Sequence, residues 1–440
     1  MSKRINITII FSLIFIFNIL SQSTDSVVFD DLVTIALQNN YGLIIARNEA
    51  EAMGIANNIG NAGFLPVADV SVNKSYSVVN SKQEFYDGRT REATGAHNNA
   101  FSALADVNWT IFDGAKMFVS KEKLGELERL GMTNVQMKAE QIYLQLASMY
   151  YQLVQEQTFL ESLQVNLQIS SERLKLAQKK FDIGSAAETD LIQARLDLGN
   201  DSTAVLNAVA RIAGIRADIN NLLSRDPEIA FIAKDSIPIN DTLEYLALLT
   251  TAEQQNKELV YARQNERINE LSHKQTVSAF LPEVSLYGDY SYAKSLSETG
   301  LLASNESFGP SYGIRFTYNI FNGLYDRTQY QLTRIDYENA RLNTEETINS
   351  LHTDLYKNFT LYSSALENTR IHKQLVDDAI KNLGIAIELY KRGQINEIDF
   401  RATQQKAVAA ENNLLLAQYL VRTSELELLR LSGQLILTTW

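Results

Sequence analysis

Residues 178–198 read QKKFDIGSAAETDLIQARLDL, and residues 387–407 read IELYKRGQINEIDFRATQQKA. Each stretch sets an aromatic residue, a glycine three positions on and an aspartate six after that: Phe181, Gly184 and Asp190, then Tyr390, Gly393 and Asp399. Matching positions lie 209 residues apart. A glycine suits the left-handed residue that ends a helix, and a carboxylate suits the first turn of the next one. The same helical hairpin is therefore written twice, and the chain is expected to be two similar halves.

The repetition extends outward from the hairpins. At the same offset of 209, VNWTIFDG (107–114) aligns with FTYNIFNG (316–323). GFLPVADVSV (63–72) aligns with AFLPEVSLYG (279–288) at 216, because the segment between is seven residues shorter in the second half. Each half then reads helix, F-L-P, alternating segment, polar loop, alternating segment, I-F-[DN]-G, very long helix, glycine turn, helix. RDPEIAFIAKDSIPIND, with Pro227 and Pro238, marks a boundary between them. The expected organisation is a signal peptide at 1–24, a first repeat at 25–225, a linker at 226–250 and a second repeat at 251–440.

The helices carry a seven-residue stripe. Leu146, Leu153, Leu160, Leu167, Leu174 and Phe181 are evenly spaced, and 209 residues later stand Leu355, Tyr362, Thr369, Val376, Leu383 and Tyr390. After the turns come Leu191, Leu198, Val205, Ile212 and Ile219, echoed by Phe400, Ala407, Leu414, Val421 and Leu428. Sustained seven-residue spacing predicts coiled-coil packing. Gly114 to Phe181 and Gly323 to Tyr390 each span 68 residues without proline. A helix of that length is about 100 Å long, against about 57 Å for a returning helix over 187–224 and about 33 Å for one over 41–62.

The segments 67–77, 101–111, 284–292 and 312–320 alternate with period two. Ala68, Val70, Val72 and Tyr76 face one way in the first; Phe101, Ala103, Ala105, Val107, Trp109 and Ile111 do so in the second. Val284, Leu286, Tyr290 and Tyr292 follow in the third, and Tyr312, Ile314, Phe316, Tyr318 and Ile320 in the fourth. Asp69, Asp106, Asp289 and Arg315 take the opposite faces. Such alternation suits membrane barrel strands, and it equally suits half-buried strands of a soluble sandwich. Four strands cannot close a barrel, and an open edge is not tolerated in lipid, so a membrane reading requires several chains per barrel. The polar stretches 78–100 and 294–310 are expected to be loops.

Composition narrows the class. The sequence holds no cysteine, four scattered histidines and a formal charge of −12, which exclude thiolate chemistry and disfavour nucleic acid. Lys3 and Arg4, then Ile5 to Leu20, then SQSTDS, follow the order of a secretory signal. No later stretch approaches the roughly 20 apolar residues of a spanning helix. There is no G-x-x-x-x-G-K-[ST], H-E-x-x-H or G-x-S-x-G, so neither an enzyme nor a cofactor is expected.

The two F-L-P strand starts, the two I-F-[DN]-G strand ends and the two aromatic-x-x-Gly-x5-Asp turns, in this order, resemble the TolC family of outer membrane efflux proteins over essentially the whole mature chain. The resemblance implies a mainly α fold with a membrane β-barrel portion: a homotrimer whose twelve-stranded barrel continues into a periplasmic α-helical tunnel of coiled-coil hairpins. It implies the exit duct of a tripartite efflux pump or type I secretion system, partnered by a periplasmic adaptor (membrane fusion protein), an inner-membrane transporter and outer membrane lipid. It also carries site residues over. Asp190 and Tyr390 fall on a linked pair of the closed periplasmic gate, Asp399 on an acidic ring, and Gly184 and Gly393 on the adaptor-docking tips. Ile395 stands where the family prototype has a linking arginine and Ala402 where it has a second ring carboxylate, leaving Lys391 or Arg392 as substitute cations. The alternative reading is a soluble periplasmic coiled-coil adaptor.

Overall fold

The fold follows from where the seven-residue stripe runs unbroken and where it gives way to alternation. In a computed structural model, which describes residues 25–299 and 302–435, the elements in order are β1 (Asp25–Val27), α1 (Phe29–Asn39), α2 (Tyr41–Ala56), β2 (Val67–Glu84), β3 (Thr90–Asp113), α3 (Lys116–Asp182), α4 (Glu188–Leu222), β4 (Phe231–Ala233), α5 (Tyr245–Gln255), α6 (Lys257–Val277), β5 (Glu283–Ser297), β6 (Ser304–Thr317), α7 (Tyr325–Lys391) and α8 (Glu397–Leu431). The expected signal at 1–24 lies outside the described residues. α3 and α7 are each 67 residues long, and α4 and α8 each 35.

Two sequence boundaries move. The helix expected over 41–62 stops at Ala56, where the Asn58 side chain accepts from the Asn61 amide and donates to the Ile55 carbonyl, turning the chain out of the helix. The loops expected at 78–100 and 294–310 are largely strand: β2 runs to Glu84, β3 starts at Thr90, β5 ends at Ser297 and β6 starts at Ser304. A ladder continues wherever backbone groups pair, so polar residues on both faces do not end it.

The chain forms two compact units, each drawing on both halves of the sequence. One holds the residues through Ile35, Leu146–Ile237 and His372–Tyr419; the other holds Ala36–Gln145, Pro238–Ile371 and the residues from Leu420 on. In the first, β1 pairs with β4 in parallel, and the Tyr150 hydroxyl donates to the Val27 carbonyl at 3.0 Å and to Asp235 at 2.7 Å. In the second, Leu248, Leu259, Leu351, Leu355, Tyr362, Val421 and Leu428 form an apolar core. The stripe is the buried seam: Leu146, Leu153, Leu355, Tyr362, Ile219, Val421 and Leu428 are at most 2% exposed. Phe181, at the hairpin tip, is its exposed end.

The second unit also carries an antiparallel sheet of order β2-β3-β5-β6, with β2 and β6 as its edges. Directly paired residues share a face. Asp69, Asp106, Asp289 and Ser311 form one cross-strand row. The neighbouring rows of that face, Ser71–Leu104–Ser291–Gly309 and Asn73–Ser102–Ala293–Ser307, are polar or small apart from Leu104. The opposite face stacks Val72–Ala103–Tyr292–Phe308, Val70–Ala105–Tyr290–Pro310 and Ala68–Val107–Gly288–Tyr312. Two details of the expected face change. A bulge between Thr110 and Phe112 sets Phe112 opposite Val284, so Ile111 is the extra residue of that strand, and β6 ends at Thr317, before Tyr318 and Ile320.

Candidate functional site

Both glycine turns close their helices in one way. Gly184 and Gly393 sit at φ +73° and +71°, where a β-carbon is disfavoured. Ser185 and Gly184 donate to the carbonyls of Lys180 and Phe181, and Gln394 and Gly393 donate to those of Leu389 and Tyr390, which is the six-to-one and five-to-two pattern of a glycine-terminated helix. Both glycines are solvent-exposed and nothing packs where a β-carbon would stand, so the tips are open surfaces.

Asp190 and Asp399 lie in the first turns of α4 and α8 and are both exposed. The Asp399 amide donates to the Asn396 side chain at 2.8 Å, so Asn396 caps the helix and leaves the Asp399 carboxylate to solvent. Tyr390 is buried and stacks on Phe400 with ring centroids 4.8 Å apart, and the Lys180 ammonium lies 4.9 Å from the centre of its ring. Its hydroxyl donates to Glu397 Oε2 at 2.6 Å. The expected partner, Asp190, is not bonded to it; Glu397 stands on the same hairpin seven residues on and accepts that hydrogen bond instead. Burial and that carboxylate raise the Tyr390 hydroxyl well above the ordinary tyrosine range, and the charge of Asp190 adds to the rise. Tyr390 is therefore a neutral donor at any physiological pH.

Behind Tyr390 lies a charged network absent from the sequence reading. The Arg173 side chain, on α3 and 1% exposed, pairs with Asp197 of α4 and sets its Nε 2.8 Å from Glu397 Oε1 of α8, an ion pair without hydrogen-bond alignment. Arg401 forks onto both oxygens of Asp201 at 2.8 Å. Ser170 donates to Asp201 at 2.5 Å, and Gln404 bridges the two centres by accepting from Arg173 at 3.4 Å and from Arg401 at 3.2 Å. Two guanidiniums and three carboxylates thus tie the first hairpin to the second. Removing one partner of such a pair costs about 3–5 kcal/mol, because a charge stays buried alone. Lys391, one candidate substitute cation, instead forms a surface pair with Glu388 on its own helix at 3.2 Å. Ile395 packs against the Ala386–Tyr390–Phe400 cluster. Among the described residues no group of acidic and histidine side chains could hold a metal.

A sequence model of the family described as outer membrane efflux protein matches residues 248–434. Outer membrane protein TolC of Escherichia coli K12 is 22% identical over 348 residues, 76% of this chain and 69% of that one. Over residues 248–434 this chain is therefore similar to the TolC-type outer membrane efflux proteins. The solved outer membrane protein VceC of Vibrio cholerae superposes with a TM-score of 0.74 at 17% identity, covering 92% of this chain and 96% of that one. The Campylobacter jejuni CmeC outer membrane channel superposes at 0.73 and 18% identity, covering 92% and 85%. This protein resides in the outer membrane and has the fold of those channels. That sets aside the soluble adaptor. No helix among the described residues is long and apolar enough to cross a membrane.

Proposed function

We propose that three copies of this chain form the exit duct of a tripartite efflux pump or type I secretion system. The observation that carries the reading is the four-stranded sheet with two unpaired edges and an exposed apolar face: Val70 is 78% exposed, Phe308 70%, Tyr312 85% and Ile314 71%. An apolar face of this extent calls for a nonpolar environment, and unpaired edges in lipid call for closure by further strands. Three copies supply twelve strands, with the Asp69–Asp106–Asp289 face toward the water-filled lumen.

The helices continue the barrel as a periplasmic tunnel that narrows at the hairpin tips. Asp399 and Asp190 line that constriction, and the Tyr390–Glu397–Arg173–Asp197 chain holds the two hairpins of each chain in their closed packing. A periplasmic adaptor seats on the exposed tips at Gly184 and Gly393, and an inner-membrane transporter supplies the energy.

Purification in mild detergent followed by single-channel recording in planar bilayers tests this reading. The parent is expected to run as a trimer with low conductance, and Arg173→Gln to keep the trimer while raising conductance several-fold. A monomer that never inserts overturns the duct. A trimeric Arg173→Gln protein that conducts like the parent removes the network from the gate.

A further inference from the structure

The apolar face of the sheet is interrupted by one charged row. Lys74, Phe101, Lys294 and Glu306 are successive cross-strand partners on β2, β3, β5 and β6. They share the face of Val72, Tyr292 and Phe308, which form the next row toward the helices. From Phe308 to Phe316 that face is free of charge, with Pro310, Tyr312 and Ile314 between on β6. The span from the Glu306 row to the Phe316 row is ten residues of strand. At about 3.4 Å per residue and a tilt of about 40° this rises about 26 Å, close to the apolar height of a membrane barrel. The charged row therefore marks one edge of the hydrocarbon, on the side of the two β-hairpins.

The charges in that row are unevenly matched. Lys294 pairs with Glu306 at 3.0 Å, and the Tyr292 hydroxyl donates to the same carboxylate at 2.9 Å. Lys74 forms no ion pair among the described residues; its ammonium lies 5.1 Å from the centre of the Tyr76 ring. Its strand neighbour in the row is Phe101, whose ring meets Tyr292 edge-on at 6.0 Å. Lys74 and Lys294 are thus two strands apart, about 10 Å between backbones, with an aromatic floor between them. Flexible lysine stems of this kind extend along apolar surface and place the ammonium at headgroup level.

We propose that Lys74 and Lys294 clamp the phosphate of an anionic membrane lipid, whose acyl chains lie on Val72, Tyr290 and Phe308. The inference rests on the sheet being a membrane wall. Charge complementarity selects the phosphate, and continuity with the uncharged band selects a lipid over a soluble anion: a ligand held here touches hydrocarbon on one side.

The test uses the full-length protein, reconstituted in nanodiscs of phosphatidylcholine doped with diphosphoryl lipid A or phosphatidylglycerol, then extracted and weighed by native mass spectrometry. The parent is expected to retain the phosphorylated dopant at least ten-fold over its share of the bilayer. The K74Q/K294Q double variant should lose that preference at unchanged oligomeric mass, and K74R/K294R should keep it. Retention equal in parent and K74Q/K294Q overturns the proposal. So does displacement of the dopant by millimolar inorganic phosphate, which would mark a free-anion site. Flotation with lipid vesicles separates the two readings: a chain that fails to float sinks the membrane wall itself, whereas one that floats without lipid preference sinks only the clamp.

Discussion

Glu140 shows what a single residue of a long helix can do to the whole fold's response to pH. It lies on α3, is 5% exposed, and burial raises its carboxyl from 4.5 to about 7, with Lys257 and Arg430 pulling the other way. The folded chain therefore holds this proton more tightly than the unfolded chain does. Its contribution is fully favourable below about pH 4.5, falls as pH climbs to about 7 and is lost above that, a swing on the order of 3 kcal/mol. Glu140→Gln should raise the thermal midpoint at pH 8 and leave it unchanged at pH 4.5. Parallel melting curves for the two proteins across that range would refute this. Neither Glu140 nor Arg173 stood out in the sequence, because each is one charge beside an apolar stripe. A signal for Arg173 does exist in the repeat: shifted by 209, Arg173 falls on Asn382, Asp201 on Ala410, and Arg401 comes from Ile192. These three hub residues are charges that the other half lacks, whereas Glu397 echoes Glu188 and Asp197 falls on Lys406.

At the scale of elements, the hairpins were the most legible part of the chain. The proline-free intervals and the heptad stripe have no competing reading over such a length, and the helices come out at 67 and 35 residues twice over. Strand ends were less legible, since side-chain alternation fades at the polar hairpins while backbone pairing continues through Glu84 and Thr90. The turn glycines give the element-scale prediction. Gly393 has open space around the position of a β-carbon, so only its left-handed backbone limits substitution. Gly393→Val should therefore cost about 1–2 kcal/mol, and Gly393→Asn much less, because asparagine visits that region. Hydrogen exchange at the end of α7 should rise by roughly ten-fold or more in the valine variant only. Equal exchange in both variants would mean that the turn does not depend on the glycine's conformation.

For the whole molecule, the deciding property is which face of the sheet meets water. The sequence pattern alone left two environments open, because alternation looks alike in a soluble sandwich and in a membrane wall. What separates them is the cross-strand register, which collects Asp69, Asp106 and Asp289 into one row and leaves Val70, Tyr290 and Tyr312 uncovered on the other side. A sandwich would cover that apolar face with a second sheet, and the only other sheet among the described residues is the two-stranded β1–β4 pair. The chain lacks cysteine, so single substitutions report cleanly. In outer membranes, Asp69→Cys, Asp106→Cys and Arg315→Cys should react with a membrane-impermeant thiol reagent. Val70→Cys, Val107→Cys and Phe316→Cys should resist it until detergent is added. The neighbours 106 and 107 are the sharpest pair, since one step along a strand reverses the face. Labelling of 107 with 106 silent would turn the sheet inside out, moving the lumen to the aromatic face and taking the lipid-facing lysine row with it.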